Sequence, residues 1–173
     1  NFNLEIKRMN SVGIVGSNGS GKSTFLKIIC GLMEPSEGTI EVDGINIYND
    51  IVKWRRLIGF ISQEIHLIDG TVRENICLGL NEKEIDNKKI MKIIEQTQLK
   101  EFIEKLPNGI NSYIDEEAAN ISGGEKQKLG ITRTLLRDNE ILIMDEATSN
   151  LDKKSEIEIV KMLNNEYKNK TKI

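Results

Sequence analysis

Short blocks of consecutive apolar residues alternate along this chain with stretches whose apolar side chains recur every three or four positions. Ser11-Val12-Gly13-Ile14-Val15 is an apolar run flanked by turn residues and predicts a buried strand. Three glycines follow between Gly16 and Gly21, and Phe25, Leu26, Ile28 and Ile29 then predict a helix over Lys22 to Cys30 that Gly31 terminates. Thr39 to Val42 and Ile45 to Tyr48 alternate about Asp43-Gly44, a strong hairpin signal. Leu57 to Ile61 predicts a further strand.

From Gln63 to about Arg137 the pattern becomes polar and helical. Capping-box spacing occurs at Thr71-Val72-Arg73-Glu74, at Ser122-Gly123-Gly124-Glu125 and, more loosely, over Asn81 to Glu84. Ile90, Ile93, Ile94 and Thr97 keep one apolar helix face, and Pro107-Asn108-Gly109 interrupts it. Ile141-Leu142-Ile143-Met144 returns as a buried strand ending in Asp145-Glu146. An amphipathic helix over Lys153 to Tyr167, carrying Ile157, Val160, Met162 and Leu163, closes the series. The order of strands, helical insert, strand and helix is that of an α/β domain. Neither an internal repeat nor a low-complexity tract interrupts it.

Length and charge narrow the class. A chain of 173 residues holds one domain with room for a small insertion. Its 38% hydrophobic and 29% charged residues exclude a disordered or membrane-embedded chain. The longest uncharged apolar stretch, Ile28 to Met33, falls far short of the ~20 residues that a spanning helix needs. Asn1 to Glu5 lacks the basic head and apolar core of a signal peptide. A net charge of −3 and a pI near 5.4 leave no electrostatic footprint for nucleic acid. Lys7-Arg8 and Lys53 to Arg56 read as solvated surface, and Cys30 and Cys77 as reduced, half-buried small residues. The chain starts without Met and stops at Thr171-Lys172-Ile173, which reads as the opening of a strand; the expectation is a fragment of something larger.

The chemistry concentrates in two places. Gly16-Ser17-Asn18-Gly19-Ser20-Gly21-Lys22-Ser23, followed by Thr24, fits G-x-x-x-x-G-K-[ST] between a strand and a helix. Glycines let the backbone curl so that several N–H groups point at one anion, and the helix beginning near Lys22 aims its free N–H groups at the same point. Lys22 adds a full charge toward the β- and γ-phosphates of a nucleotide, and Ser23 offers a hydroxyl to Mg2+. The second place is Asp145-Glu146, at the carboxyl end of a buried strand, where open α/β sheets bind ligands. Asp145 suits a magnesium ion, which prefers oxygen ligands, and Glu146 suits orienting or deprotonating the attacking water.

With Ser122-Gly123-Gly124-Glu125 between them, these motifs make the chain resemble the nucleotide-binding domain of an ABC (ATP-binding cassette) transporter of the exporter type, over nearly its whole length. The family signature reads L-S-G-G-Q, and Ile121-Ser122-Gly123-Gly124-Glu125 matches it with two departures. Gln63 falls at the family's Q-loop glutamine, which touches magnesium and links to the partner domain; Ser149-Asn150-Leu151-Asp152 resembles the D-loop, bringing Ser149 and Asp152 into the candidate nucleotide site. The resemblance implies a P-loop NTPase (RecA-like) core over 1–62 and 138–173, with a partial antiparallel β subdomain near 39–48, and a helical signature subdomain inserted over 63–137. It implies ATP and Mg2+ as cofactors. It also implies a head-to-tail dimer with a second nucleotide-binding domain, in which each signature closes on the other's γ-phosphate, and attachment to a transmembrane domain at the cytoplasmic face of the membrane. Exporter cues are Asp69-Gly70-Thr71-Val72-Arg73-Glu74-Asn75-Ile76, the Ala147 after the acidic pair, and Ser112-Tyr113-Ile114-Asp115-Glu116. The last lines up with T-x-V-G-E, so that only Glu116 carries over as a contact with the membrane partner.

Two departures change the expectation. Glu125 in place of Gln either sets a negative charge against a triphosphate, costing about 1 kcal/mol or more in a part-desolvated interface, or turns back on its own helix as the capping-box acid; the second is preferred. His66, the sole histidine, is not at the family's switch position, which lies beyond the last strand, and reads as an ordinary loop residue. The adenine-stacking aromatic of the family comes before residue 1. The fragment alone is therefore expected to bind nucleotide weakly and hydrolyse it poorly. The rival readings are a soluble ABC ATPase acting on DNA or ribosomes and a non-hydrolysing nucleotide switch. No heptad run fills the stretch from Lys22 to Ser122, Ala147 stands where the ribosome-acting members carry Pro, and Glu146 and Gln63 are both kept, which argues against all of them.

Overall fold

A computed structural model describes residues 3–81, 83, 85–115 and 121–173. The elements in order are α1 (Lys22–Ile29), β1 (Glu41–Val42), β2 (Ile45–Asn46), α2 (Ile51–Leu57), β3 (Ile58–Ile61), β4 (Gly70–Thr71), α3 (Val72–Ile76), α4 (Asn87–Gln96), α5 (Lys100–Lys105), β5 (Tyr113–Ile114), α6 (Gly123–Leu136), β6 (Ile141–Met144), α7 (Lys153–Glu166) and β7 (Thr171–Lys172). Short 3-10 turns follow β2 and α5.

The central sheet is parallel, in the order β3-β6-β7, with Ile61 opposite Met144 and Ile141 opposite Thr171. Successive side chains of a strand face opposite sides, and this divides the core in two. Ile58, Phe60, Ile141 and Ile143 pack with Leu26 and Cys30 of the α1 segment. Ile61, Leu142 and Met144 join the larger cluster, built with Leu129, Ile131 and Leu135 of α6, Ile90, Ile93 and Ile94 of α4, and Ile159, Met162 and Leu163 of α7. Helices therefore cover both faces, as a parallel sheet requires.

The hairpin, the α1 helix, the β3 and β6 strands and the α4 face lie where the pattern predicts them. Asp43 (φ 51°) and Gly44 (φ 76°) both take left-handed backbone, the turn that joins β1 to β2. Thr71 and Glu74 form the expected capping box of α3, whereas Glu84, part of the looser candidate, lies outside the described residues.

Four expectations are corrected. Ser11 to Val15 is not a buried strand: Ser11 bridges Lys172, Val12 donates to the Lys172 carbonyl, and Val15 is 97% exposed. Its ladder contacts are all with Lys172, at Asn10, Ser11 and Val12. In α7 the buried stripe is Ser155, Ile159, Met162 and Leu163, while Ile157 and Val160 face outward; a helix turns 100° per residue, which puts 157 and 160 off the face that 159 and 163 share. The stretch from Gln63 to Arg137 also holds the antiparallel β4–β5 pair besides its helices. Cys30 and Cys77 are free thiols, buried rather than half-buried.

Arg133 of α6 fastens the segment from His66 to Asn75. Its Nε donates to the Asn75 carbonyl at 2.8 Å, Nη1 to the His66 carbonyl at 3.0 Å and Nη2 to Asn75 Oδ1 at 3.3 Å. Burial, then the neighbouring Arg137 charge, lowers the Arg133 pKa. Asn75, itself buried, also exchanges hydrogen bonds with both backbone groups of Ile68.

Because Ile159 is fully buried and Ile157 half exposed, Ile159→Ala is expected to lower unfolding stability by about 2–5 kcal/mol, against about 0.5 kcal/mol or less for Ile157→Ala. Chemical denaturation followed by circular dichroism reads both.

Candidate active site

The loop from Gly16 to Thr24 closes on itself. Lys22 Nζ reaches back to donate to the carbonyls of Gly16 at 3.0 Å and Ser17 at 3.2 Å, and the Ser20 amide donates to the Ser17 carbonyl at 3.1 Å. Gly21 precedes α1 with φ 91°, in the left-handed region that favours glycine. A Cβ on Gly16 would lie 2.6 Å from Ser20 Oγ, so a side chain there would force the Ser20 hydroxyl to turn aside. Side-chain oxygens cap α2, α3, α4, α6 and α7, but α1 starts at a glycine that has no such oxygen to offer. Its first-turn N–H groups, with the positive end of the helix dipole, face the loop that Ser17, Asn18, Gly19 and Ser20 complete. Thr24 lies on the exposed side of that first turn.

Ser23, one residue into the helix, donates its hydroxyl to Asp145 Oδ1 at 3.0 Å. Asp145 is buried and its amide continues the sheet ladder by donating to the Ile61 carbonyl. The buried carboxylate is felt by Cys30: burial first, and then the Asp145 charge, push that thiol up to about 12, so it stays protonated. Glu146, the next residue, holds φ 50°. For a non-glycine residue this conformation costs about 1 kcal/mol or more, and it turns the side chain out of the strand. Its Oε2 accepts from Gln63 Nε2 at 3.0 Å.

The structure thus joins Ser23 to Asp145 and Gln63 to Glu146, across residues far apart in the chain. The other candidates are placed differently. The Ser122 hydroxyl and amide both donate to Glu125 Oε2, at 2.7 and 2.8 Å, while the Glu125 amide donates back to Ser122 Oγ at 3.3 Å. Glu125 is therefore the capping acid of α6, the second of the two alternatives its charge allowed. Gly123 and Gly124 lie against Asn150 and Leu151; a Cβ on Gly124 would come within 3.3 Å of the Asn150 carbonyl. Ser149 closes a turn onto the Glu146 carbonyl. Asp152 caps α7 by accepting from the amides of Lys154 and Ser155; the Ser155 hydroxyl first, and then those amides, hold its pKa below the ordinary value. Glu116 lies outside the described residues. His66 lends its carbonyl, not its ring, to Arg133.

One polar residue of this region escaped the sequence pattern. Gln127 is buried within α6, and its amide reaches the strand ends that carry the acidic pair. The signal was present: Gln127 stands four residues before Ile131 and eight before Leu135, on the face those side chains bury.

Comparison with known proteins gives the same picture. The family model described as ABC transporter matches residues 1–149. ABC transporter B family member 21 of Arabidopsis thaliana is 37% identical over 99% of this chain and 13% of that protein. The ATP-dependent lipid A-core flippase of Pasteurella multocida is 37% identical over 100% of this chain and 30% of its own length. The solved structure of a bacterial Atm1-family ABC exporter with ATP bound superposes with a TM-score of 0.90 at 31% identity, over 98% of this chain and 30% of that one. The chain thus spans 13–30% of the length of these relatives. A phosphate loop and an acidic pair meeting at the carboxyl edge of a parallel sheet, in an architecture that superposes on a solved exporter, place the chain in the ABC transporter family as one of its ATP-binding P-loop domains.

Proposed function

We propose that this chain is the ATP-hydrolysing motor of an exporter, working head to tail with a second domain of its kind and moving a transmembrane domain from the cytoplasmic face of the membrane. The supporting observation is the meeting of Ser23 with Asp145 beside the Gln63–Glu146 pair. Among the described residues no helix is long and apolar enough to cross a membrane, so on this reading the spanning segments belong to the transmembrane partner.

The residues fit a magnesium ion. Ser23 Oγ and Asp145 Oδ1 already converge as two hard oxygens. No group of three or more His, Cys, Asp or Glu side chains that could hold a metal occurs among the described residues. The pair suits an ion that takes few protein oxygens and completes its shell with phosphates and water. Ser23, Asp145 and Gln63 would hold Mg2+, which would supply positive charge against the charge that develops during phosphoryl transfer.

The work of the chain itself follows from its geometry. The Gly16 to Thr24 amides and the start of α1 bind the polyphosphate, and Lys22 exchanges its two carbonyl partners for the β- and γ-phosphate oxygens. Glu146 accepts a proton from, or orients, the water that attacks in line, while Gln63 fixes the carboxylate's direction. Ser122, Gly123 and Gly124, with Ser149 and Asp152 of the D-loop, would meet the nucleotide held by the second domain. The cargo is that of the transmembrane partner.

Lys22→Ala is expected to weaken Mg-ATP binding at least about tenfold, since charge-assisted contacts contribute about 1.5–3 kcal/mol; calorimetry that finds undiminished uptake would defeat the assignment. Glu146→Gln should keep Mg-ATP affinity within about threefold while turnover drops about 100-fold or more, measured as phosphate release by the full-length protein. Glu125→Gln should change turnover by less than about threefold, because Glu125 is spent on its own helix; a large gain would mean that its charge does oppose the nucleotide.

A further inference from the structure

The hydrogen-bond ladder between β3 and β6 ends where the Asp145 amide donates to the Ile61 carbonyl. Just beyond that rung, the carbonyls of Ser62 and Ala147 need donors, and both find the same one. Gln127 Nε2 donates to the Ala147 carbonyl at 2.8 Å and lies 3.5 Å from the Ser62 carbonyl. On its other side, Gln127 Oε1 accepts from Asn150 Nδ2 at 3.5 Å. Gln127 itself is 1% exposed.

The partners are telling. Ser62 immediately precedes Gln63, and Ala147 immediately follows Glu146. A single buried amide therefore holds the backbone next to each member of the Gln63–Glu146 pair, while also touching the Ser149 to Asp152 loop through Asn150. Glu146 keeps a left-handed backbone, and a conformation of that kind persists only where its surroundings fix it. The Gln127–Ala147 bond is one such fixing contact, and the Ser149 amide on the Glu146 carbonyl is another.

We infer that Gln127 is a positioning residue for hydrolysis, setting the direction of the Glu146 carboxylate and its register with Gln63. This role rests on the assignment of Glu146 to water activation. It also connects the signature to the chemistry: Ser122 and Gln127 lie on one helix, about 7.5 Å apart along its axis. A displacement of the start of α6 is carried by a rigid rod to the amide that aims Glu146.

The test uses the full-length protein with Gln127→Met, which keeps length and volume and removes the donor, and Gln127→Glu, which keeps the volume but withdraws the amide proton. Thr132→Val is the control. Thr132 is buried in the same helix, hydrogen-bonded to the Lys128 carbonyl and to Thr97, away from the strand ends. Both Gln127 variants are expected to lose kcat at least tenfold, with KM and Mg-ATP affinity within threefold of the parent, whereas Thr132→Val lowers Tm but keeps kcat within twofold. A folded Gln127→Met or Gln127→Glu that turns over at the parent rate overturns the inference. So does a parallel fall of affinity and kcat, or failure of both variants to fold, either of which makes Gln127 a purely structural group. Full turnover in Glu146→Gln would instead remove the assignment of Glu146 itself; an inactive Glu146→Gln beside a fully active Gln127→Met removes only the role of Gln127.

Discussion

Parallel pairing of β3 with β6, in the register that sets Ile61 opposite Met144, is the constraint on which the site depends. Two parallel strands in that register run out at the same edge, so the residues that leave them, Ser62-Gln63 from one and Asp145-Glu146 from the other, emerge side by side. A one-residue slip would turn every side chain of β6 to the other face, driving Leu142 toward α1 and Asp145 away from Ser23. The buried side chains on both faces forbid it: Ile143 and Leu142 are each essentially inaccessible, on opposite sides. The meeting of these residues is a by-product of packing.

The acidic residues at this edge have different environments. Asp145 is buried and bonded to Ser23, while Glu146 stands exposed and is held by a neutral amide. Buried carboxylates are costly unless paired, so Asp145 suits a cation with its serine companion. Glu146 stands at the surface, with its carboxylate turned toward Gln63. Backbone geometry separates the roles: Asp145 continues the ladder, and the left-handed turn at Glu146 breaks it.

Much of this was legible in the sequence. The phosphate loop, the acidic pair and the hairpin are local patterns whose meaning is fixed by glycine conformations and a few residue types, and they lie where they were read. The ABC family and the P-loop fold inferred from them are borne out. Features that depend on neighbours were not legible. Ser11 to Val15 has the composition of a buried strand but pairs only at its start, since strand burial depends on the partner. Ile157 and Val160 lie within one turn of the core stripe of α7, and composition alone does not show which side of the helix the sheet covers. Gln127 reads as one polar residue among several in Glu125-Lys126-Gln127-Lys128; its spacing puts it on the face of Ile131 and Leu135, but that this face is buried at Gln127 depends on the strand ends packed against it.

The Arg133 fork has a consequence for conditions in the cell. The segment from His66 to Asn75 continues directly from Gln63, and three guanidinium bonds clamp it to α6. A guanidinium remains cationic at every physiological acidity, and its acceptors here are two carbonyls and a side-chain amide, none of which titrates. The clamp is therefore indifferent to changes of acidity in that range. Its planar fork also resists rotation, as a single ammonium would not, so that segment and α6 are held with little slack between them.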